Sequence, residues 1–417
     1  MTEDKKMRKR VVITGMGAVS PLGNNVPEMS EHAFAGVCGI GEITSFDASG
    51  HKVSVAAEVK DFDPSAYFDK MEARRTARFT QFAVAASMEA FRQSGLDMEK
   101  EDSVRCSVYL SSGIGGLGII EREHSRGQKR GFDMVSPLFV PMAITNMAAG
   151  LTAIRLGFRG SCNCIVTACA SASNAIGEAF HALRDGYADV ILAGGTESCI
   201  TELGIGGFTS MRALSEAKDP ARASIPFDKE RAGFVMGEGA GVLMMETYDH
   251  AVARGAEILG EIVGYGASCD AHHMTAPRED GEGAADAMCL AMEDAAVSPQ
   301  EIGYINAHGT GTPLNDRCET RAVRKAFGEA AEDLVMSSTK SMMGHALGAS
   351  GGLESILTVE ALRKQMAPPT INYQVPDPDC DLDIAPGKAK AFQGEYAMSN
   401  SLGFGGHNAS LVFRRAE

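Results

Sequence analysis

The chain has 417 residues, 44% hydrophobic and 22% charged, with 47 glycines, 22 methionines and no tryptophan. It can therefore bury a large core of small side chains with methionine filling the gaps, in two or three domains or one large two-part fold. A net charge of −15 gives no basic footprint for general nucleic-acid binding, and no apolar run approaches the roughly 20 residues that span a membrane. The ten cysteines lack the density and CxxC spacing of a secreted disulfide framework, so we expect a cytoplasmic protein with reduced thiols.

In chain order, the start "MTEDKKMRKRVVITGMGAVSPLGN" reads as a first strand and its turn rather than a signal peptide. Apolar runs ending in glycine or serine follow: "CSVYLSS" from Cys106, "CIVTA" from Cys164, "DVILAGG" from Asp189 and "GVLMME" from Gly241. After "DHAVARG" the theme repeats with "ILGEIVGYGAS", "IGYINAH", "LVMSSTK" and the pair "YAMSNSLGF" and "NASLVF". Continuous runs of this kind suit a parallel or mixed sheet covered on both faces. The order of elements predicts two similar α/β halves, 1–256 and 257–417, with helices on and between two sheets.

Three cysteines stand close together in "CNCIVTACASASNAIGEAF". Cys162 and Cys164 fall on one face of a predicted buried strand, with no further ligands nearby for a metal, and read as core. Cys169 sits between "CIVTA" and a helical pattern carried by Ala175, Ile176, Ala179, Phe180 and Leu183. At such a strand-to-helix turn the helix dipole favours thiolate, lowering the thiol pKa from about 8.5. A backbone N–H there also suits the oxygen of a tetrahedral intermediate. A buried structural cysteine fits this stretch equally well.

Other strand ends add polar groups. "INAHGTGTPLND" holds His308, Thr310 and Thr312; "SSTKSMMGHALGASGG" holds Lys340 and His345; "MSNSLGFGGHNAS" turns around Phe404. Open α/β folds gather their sites at carboxyl ends of strands. Together these turns make a candidate site.

The motifs "TACASAS", "GGTES", "PFDKERAGFVMGEGAG", "DAHHMTAP", "NAHGTGTPLND", "TKSMMGHALGASGG" and "SNSLGFGGHNASLVF" stand in the order of one family. The chain resembles the β-ketoacyl-acyl carrier protein synthases, particularly the elongating type II enzymes of fatty acid synthesis, over nearly its whole length. The resemblance implies a thiolase-like five-layered αβαβα fold of two βαβαβαββ halves, a homodimer, and no cofactor beyond the phosphopantetheine on the carrier protein. It implies that Cys169 takes the acyl chain as a thioester, while His308 and His345 stabilise the enolate formed as malonyl carrier protein loses carbon dioxide. The N–H groups of Cys169 and Phe404 would form the oxyanion hole, and Phe404 would also be a gate. Lys340 would support the histidines through Glu319.

By the same resemblance Thr310 and Thr312 hold the pantetheine arm, and Asp270 and Thr275 lie on a loop beside the gate. Ile114, Phe139, Ala168, Phe208 and Leu347 match the acyl pocket. Arg212 matches a position that contacts the acidic carrier protein, Arg74 and Arg75 match more loosely, and Lys129 and Arg130 join them on charge alone. A thiolase would carry a second catalytic cysteine in the last glycine-rich turn, and "GFGGHNAS" has none. Leu402, His407, Gly311 and Asn315 depart from the family's usual residues around the gate and the loop after His308. Two rivals keep parts of this pattern: a condensing enzyme of a polyketide or other specialised lipid pathway, and a silent partner subunit, which would lack the nucleophile.

Overall fold

The computed structural model describes residues 8–416, so the part of the N-terminal reading that falls on residues 1–7 lies outside the described residues. Ten strands form the main sheet: β1 (Val11–Val19), β2 (Cys106–Ser111), β3 (Cys162–Asn163), β4 (Val190–Glu197), β5 (Gly239–Thr247), β6 (Gly260–Cys269), β7 (Ile302–Asn306), β8 (Val335–Ser337), β9 (Tyr396–Gly403) and β10 (His407–Arg415). Their order is β8-β7-β9-β10-β6-β1-β5-β4-β2-β3. Outward from the centre the two blocks run β1-β5-β4-β2-β3 and β6-β10-β9-β7-β8, the same path taken twice. Strand directions repeat as well: the two outer pairs of each block are parallel and the two inner pairs antiparallel. The blocks join only where Val11–Ile13 of β1 lies antiparallel to Gly260–Ile262 of β6.

Helices α1 (Arg78–Ser94) and α3 (Glu282–Ala295) cover the outer faces of the two blocks. They press unusually close to the first strand of each block, where Gly15 and Gly17 face the carbonyls of Ala90 and Ala86. Gly264 and Gly266 face those of Ala291 and Ala287 in the same way. A Cβ at any of the four would strike backbone, so the glycines set the layer spacing. Between the blocks run α2 (Ser171–Arg184) and α5 (Ser350–Lys364), and α4 (Pro313–Phe327) packs beside α3. α5 is buried on every side from Ser350 to Leu362, as a helix between two sheet blocks must be; the two sheets expected from the sequence are joined into one by the pairing of β1 with β6. The layers are therefore αβαβα, the thiolase-like arrangement.

The small residues opening α2 and α5 let the two N-termini touch: a side chain on Gly351 would strike Ser173, whose hydroxyl lies 2.8 Å from that of Ser401. All five apolar positions predicted for α2 are buried.

"CIVTA" is not the buried strand its composition suggests. The strand is only Cys162–Asn163, at the end of the sheet, and residues 164–167 run on without regular pairing. Cys162 is exposed, Cys164 half-buried and Val166 50% exposed, so neither cysteine is core within this chain. An apolar run specifies burial but not by which surface.

Candidate active site

Parallel strands β7, β8 and β9 end at one edge, which brings together loops far apart in sequence. His308 stands two residues beyond β7, Lys340 three beyond β8 and Phe404 one beyond β9. Opposite them, a 3₁₀ turn at Ala168–Ala170 feeds α2, and its structural twin at Leu347–Ala349 feeds α5. Ala168 (φ 50°) and Leu347 (φ 46°) both take the left-handed conformation, a strained geometry that turns the following residue sharply toward the site. A Cβ on Gly403 would lie 2.6 Å from the Thr167 carbonyl and 3.3 Å from the Cys169 nitrogen, so the end of β9 rests directly on the cysteine turn.

The cavity over Cys169 holds about 350 Å³ and is lined by Phe208, Arg212, Asp270, Thr275, His308, Thr310, Thr312, His345 and Phe404, among others. The two imidazoles meet edge to face, 5.2 Å between ring centres and 88° between planes. His345 also packs on Phe234 (5.2 Å), Phe234 on Phe208 (5.5 Å) and Phe208 on Phe404 (6.2 Å), a continuous row of rings from Phe404 to the histidines. The Phe404 N–H is directed at the Cys169 sulfur. The Phe404 turn is tied to its neighbour loop by Gly405 N–H to the Met274 carbonyl (2.7 Å) and Asp270 N–H to the Gly406 carbonyl (2.9 Å). Thr310 and Thr312 hydroxyls lie 3.0 Å apart on the cavity wall.

The electrostatics differ from the expectation for the thiol. Burial pushes Cys169 from 9.0 up to about 12, against the opposing pull of Lys340 and the Phe404 N–H. That disfavours the thiolate by about 4 kcal/mol, more than a helix N-terminus supplies. Cys169 therefore rests as a thiol. Burial first, then the Lys340 charge, holds both His308 and His345 well below 6.5, and His308 is lowered further by His345. Both rings are neutral at physiological pH. When Ser350, 2.9 Å from Nδ1 of His345, donates there, Nε2 of that ring carries the proton.

Lys340 is buried and its ion-pair partner is Glu354 on α5, not Glu319. Glu319 instead accepts the N–H groups of His308 and Gly309, each at 2.7 Å, and burial raises its carboxyl to about 7. Glu319 thus fixes the backbone of the histidine loop, while Glu354 neutralises the lysine. A glutamate among the small and apolar residues of "GGLESIL" was the available signal for Glu354. Phe234 and Ser350 lay inside quoted motifs without an assigned part.

Ile114, Phe208 and Leu347 pack in one apolar cluster with Cys169, and Ala168 precedes it on the turn. Phe139 does not join them; it packs in a separate cluster with Met142 and Ala148, on a short helix near the β3 end of the sheet. Of the basic residues only Arg212 lines the cavity. Arg74 borders a separate groove, Arg75 is exposed beside it, and Lys129 and Arg130 border a shallow basic surface on the helix Leu117–Arg130. Among the described residues no group of three or more His, Cys, Asp or Glu side chains is placed to hold a metal ion.

A duplicated αβαβα frame with one buried thiol, two neutral imidazoles and a backbone donor at the junction of its halves defines a thiolase-like condensing enzyme. Family models for the β-ketoacyl synthase N-terminal domain and C-terminal domain match residues 8–251 and 259–374, and the chain belongs to the β-ketoacyl synthase family. It is 49% identical over 409 residues to a 3-oxoacyl-[acyl-carrier-protein] synthase 2 of Synechocystis sp., covering 98% of each chain. It is 50% identical over 409 residues to the 3-oxoacyl-[acyl-carrier-protein] synthase 2 of Staphylococcus aureus, covering 98% of this chain and 99% of that one. Among solved structures, a β-ketoacyl synthase from Burkholderia phymatum superposes with a TM-score of 0.91 at 36% identity, over 98% of this chain and all of the other. A type II polyketide ketosynthase in complex with its acyl-carrier protein does so with a TM-score of 0.91 at 34% identity and the same coverage.

Proposed function

We propose that this chain elongates acyl chains by two carbons, condensing malonyl-acyl carrier protein with an acyl group held on Cys169. The observation that carries the reading is the buried Cys169 thiol at the floor of a cavity that also holds two neutral imidazoles and the Phe404 N–H. The Cys169 sulfur attacks the acyl thioester; its proton leaves with the departing pantetheine thiolate, and the carbonyl oxygen is held by the Cys169 and Phe404 N–H groups. Malonyl thioester then enters along Thr310 and Thr312. Its carbon–carboxylate bond breaks, carbon dioxide leaves, and the enolate oxygen accepts from His308 and His345. Neutral imidazoles suit this step, because they donate without readily protonating the carbanion. The carbanion attacks the Cys169 thioester carbonyl, the sulfur leaves, and one proton is taken up overall. The roughly 50% identity to the 3-oxoacyl-[acyl-carrier-protein] synthases, against 34% to the type II polyketide ketosynthase, favours fatty acid elongation.

The test is intact-protein mass spectrometry with acyl carrier proteins of several chain lengths. Acyl mass on Cys169 that discharges only when malonyl carrier protein is added meets the proposal; no acyl mass at any length defeats it. His308→Ala and His345→Ala proteins should still take acyl mass on Cys169 but condense about 10²–10³-fold more slowly, as loss of a preorganised donor typically does. Because both rings are held well below 6.5, the histidines themselves should give no break in the condensation rate between about pH 6 and 8, where the titration expected is that of Glu319 at about 7, and imidazolium should cut the rate only on stronger acidification. A break near 6.5 that persists in the Glu319→Gln protein would contradict neutral, depressed histidines.

The acyl carrier protein is the partner we assign, with Arg212 at the cavity mouth as its nearest basic contact. Arg212→Glu should weaken carrier binding by about tenfold at low salt, less at high salt, without altering thermal stability. Salt-insensitive, unchanged affinity would remove Arg212 from that role. We also assign a homodimer, formed along the unpaired edge of β3, where Cys162 is exposed, Val166 is 50% exposed and Ile154 is 76% exposed. We place the enzyme in the cytoplasm, where its ten free thiols stay reduced; no helix of the described residues is long and apolar enough to cross a membrane.

A further inference from the structure

Glu197 ends β4 and is wholly buried, yet no ion pair reaches it among the described residues. Its Oε1 accepts from the Ser112 hydroxyl (2.7 Å) and the N–H groups of Ile114 (3.3 Å) and Gly115 (3.4 Å), and the Cys199 sulfur lies 3.5 Å away. Its Oε2 accepts from the N–H groups of Gly113 (2.8 Å) and Gly348 (3.1 Å). These donors come from two segments: the loop after β2 and the Leu347–Ala349 turn in the other half of the fold. The segments meet backbone to backbone, since a Cβ on Gly348 would strike the Gly113 nitrogen and one on Gly113 would come 2.8 Å from Oε2. Each segment supplies one wall of the apolar cluster around Cys169, Ile114 from the loop and Leu347 from the turn.

Burying a carboxylate with no cation beside it is costly, and packing alone could have joined the two segments more cheaply. A carboxylate is the group that can accept from every one of these donors at once, because it offers only acceptors. We propose that Glu197 is a positioning residue for the acyl chain: it locks Ile114 and Leu347 at a fixed separation beside Cys169 and so sets which chain lengths the enzyme accepts. This deepens the condensing-enzyme reading and rests on it. Glu197, like Ile114 and Leu347, lies behind the lining of the open cavity, and it acts only through the backbone of the two segments that carry these apolar side chains against Cys169.

Glutamine has nearly the shape of glutamate, but either orientation of its amide turns an NH₂ toward at least two of these N–H donors. The Glu197→Gln protein should therefore keep its fold while its walls separate. Rates of Cys169 acylation are read by intact mass, using carrier proteins bearing short, medium and long acyl chains. The ratio of long-chain to short-chain rates should change by about tenfold or more, the scale on which a pocket discriminates methylenes. An unchanged ratio overturns the proposal, and so does an equal loss at every length with a lowered melting temperature, which marks plain destabilisation. If the glutamine protein does not fold, Ser112→Ala, which removes a single donor from Oε1, must shift the ratio, and no shift overturns the assignment. Wild-type protein that takes no acyl group at any length defeats the condensing reading itself, whereas wild-type acylation with an unchanged ratio in the variant defeats Glu197 alone.

Discussion

The Cys169→Ala protein is expected to fold and to form no acyl-enzyme at all, with condensation reduced by several orders of magnitude. Among the described residues no other cysteine lines the cavity. Cys199 is buried behind Glu197, and Cys162 and Cys164 lie on the far side of the turn toward the β3 edge. The change removes one sulfur from a packed site, so stability should fall by only about 1 kcal/mol. Carbon dioxide release from malonyl carrier protein should persist, because enolate stabilisation by His308 and His345 does not use the thiol. Intact mass, a thermal melt and carbon dioxide release on one preparation separate these claims. Normal condensation by this variant would remove Cys169 from the mechanism.

The second large effect is expected from Lys340→Ala. Lys340 and Glu354 form a fully buried pair between a loop and α5, so removing the lysine strands a carboxylate with no cation beside it. Breaking such a pair costs about 3–5 kcal/mol, a large share of the 5–15 kcal/mol that holds an ordinary domain together. Replacing both charges, Lys340→Met with Glu354→Gln, should recover most of that stability, because the uncompensated charge is gone. Activity should return only in part. The Lys340 charge helps to hold both imidazoles below 6.5, so without it their protonation moves to higher pH. Acid loss of condensation should then begin at higher pH in the double variant than in wild type. A double variant as unstable as Lys340→Ala, or an unshifted acid limb, would contradict this account.

Three of the four candidate turns, those of His308, Lys340 and Phe404, were legible because each follows a strand that the sequence marks by its apolar residues, and because glycine and small residues fix where those runs stop. The two-half α/β organisation was legible for the same reason, whereas the αβαβα layering was expected from the resemblance to the β-ketoacyl synthases and not from the pattern of runs. "CIVTA" misled because hydrophobicity reports burial without naming the covering surface, and here the segment sits at a sheet edge. Phe139 was placed with the acyl pocket by its motif position, whereas the chain's own packing sends it to another cluster.

The sequence by itself determined which groups are present and on which turns they stand: Cys169 before α2, His308 after β7, Lys340 after β8, Phe404 after β9. Their protonation was decided by the tertiary structure. A thiol at a helix start reads as acidic when only its neighbours in sequence are counted. Once the fold closes over it, lost hydration outweighs the dipole and the thiol is held up to about 12. The choice of Glu354 over Glu319 as the partner of Lys340 is of the same kind. Both depend on which buried surfaces meet across the two halves, and charge energetics in a dry interior follow from those meetings rather than from positions along the chain.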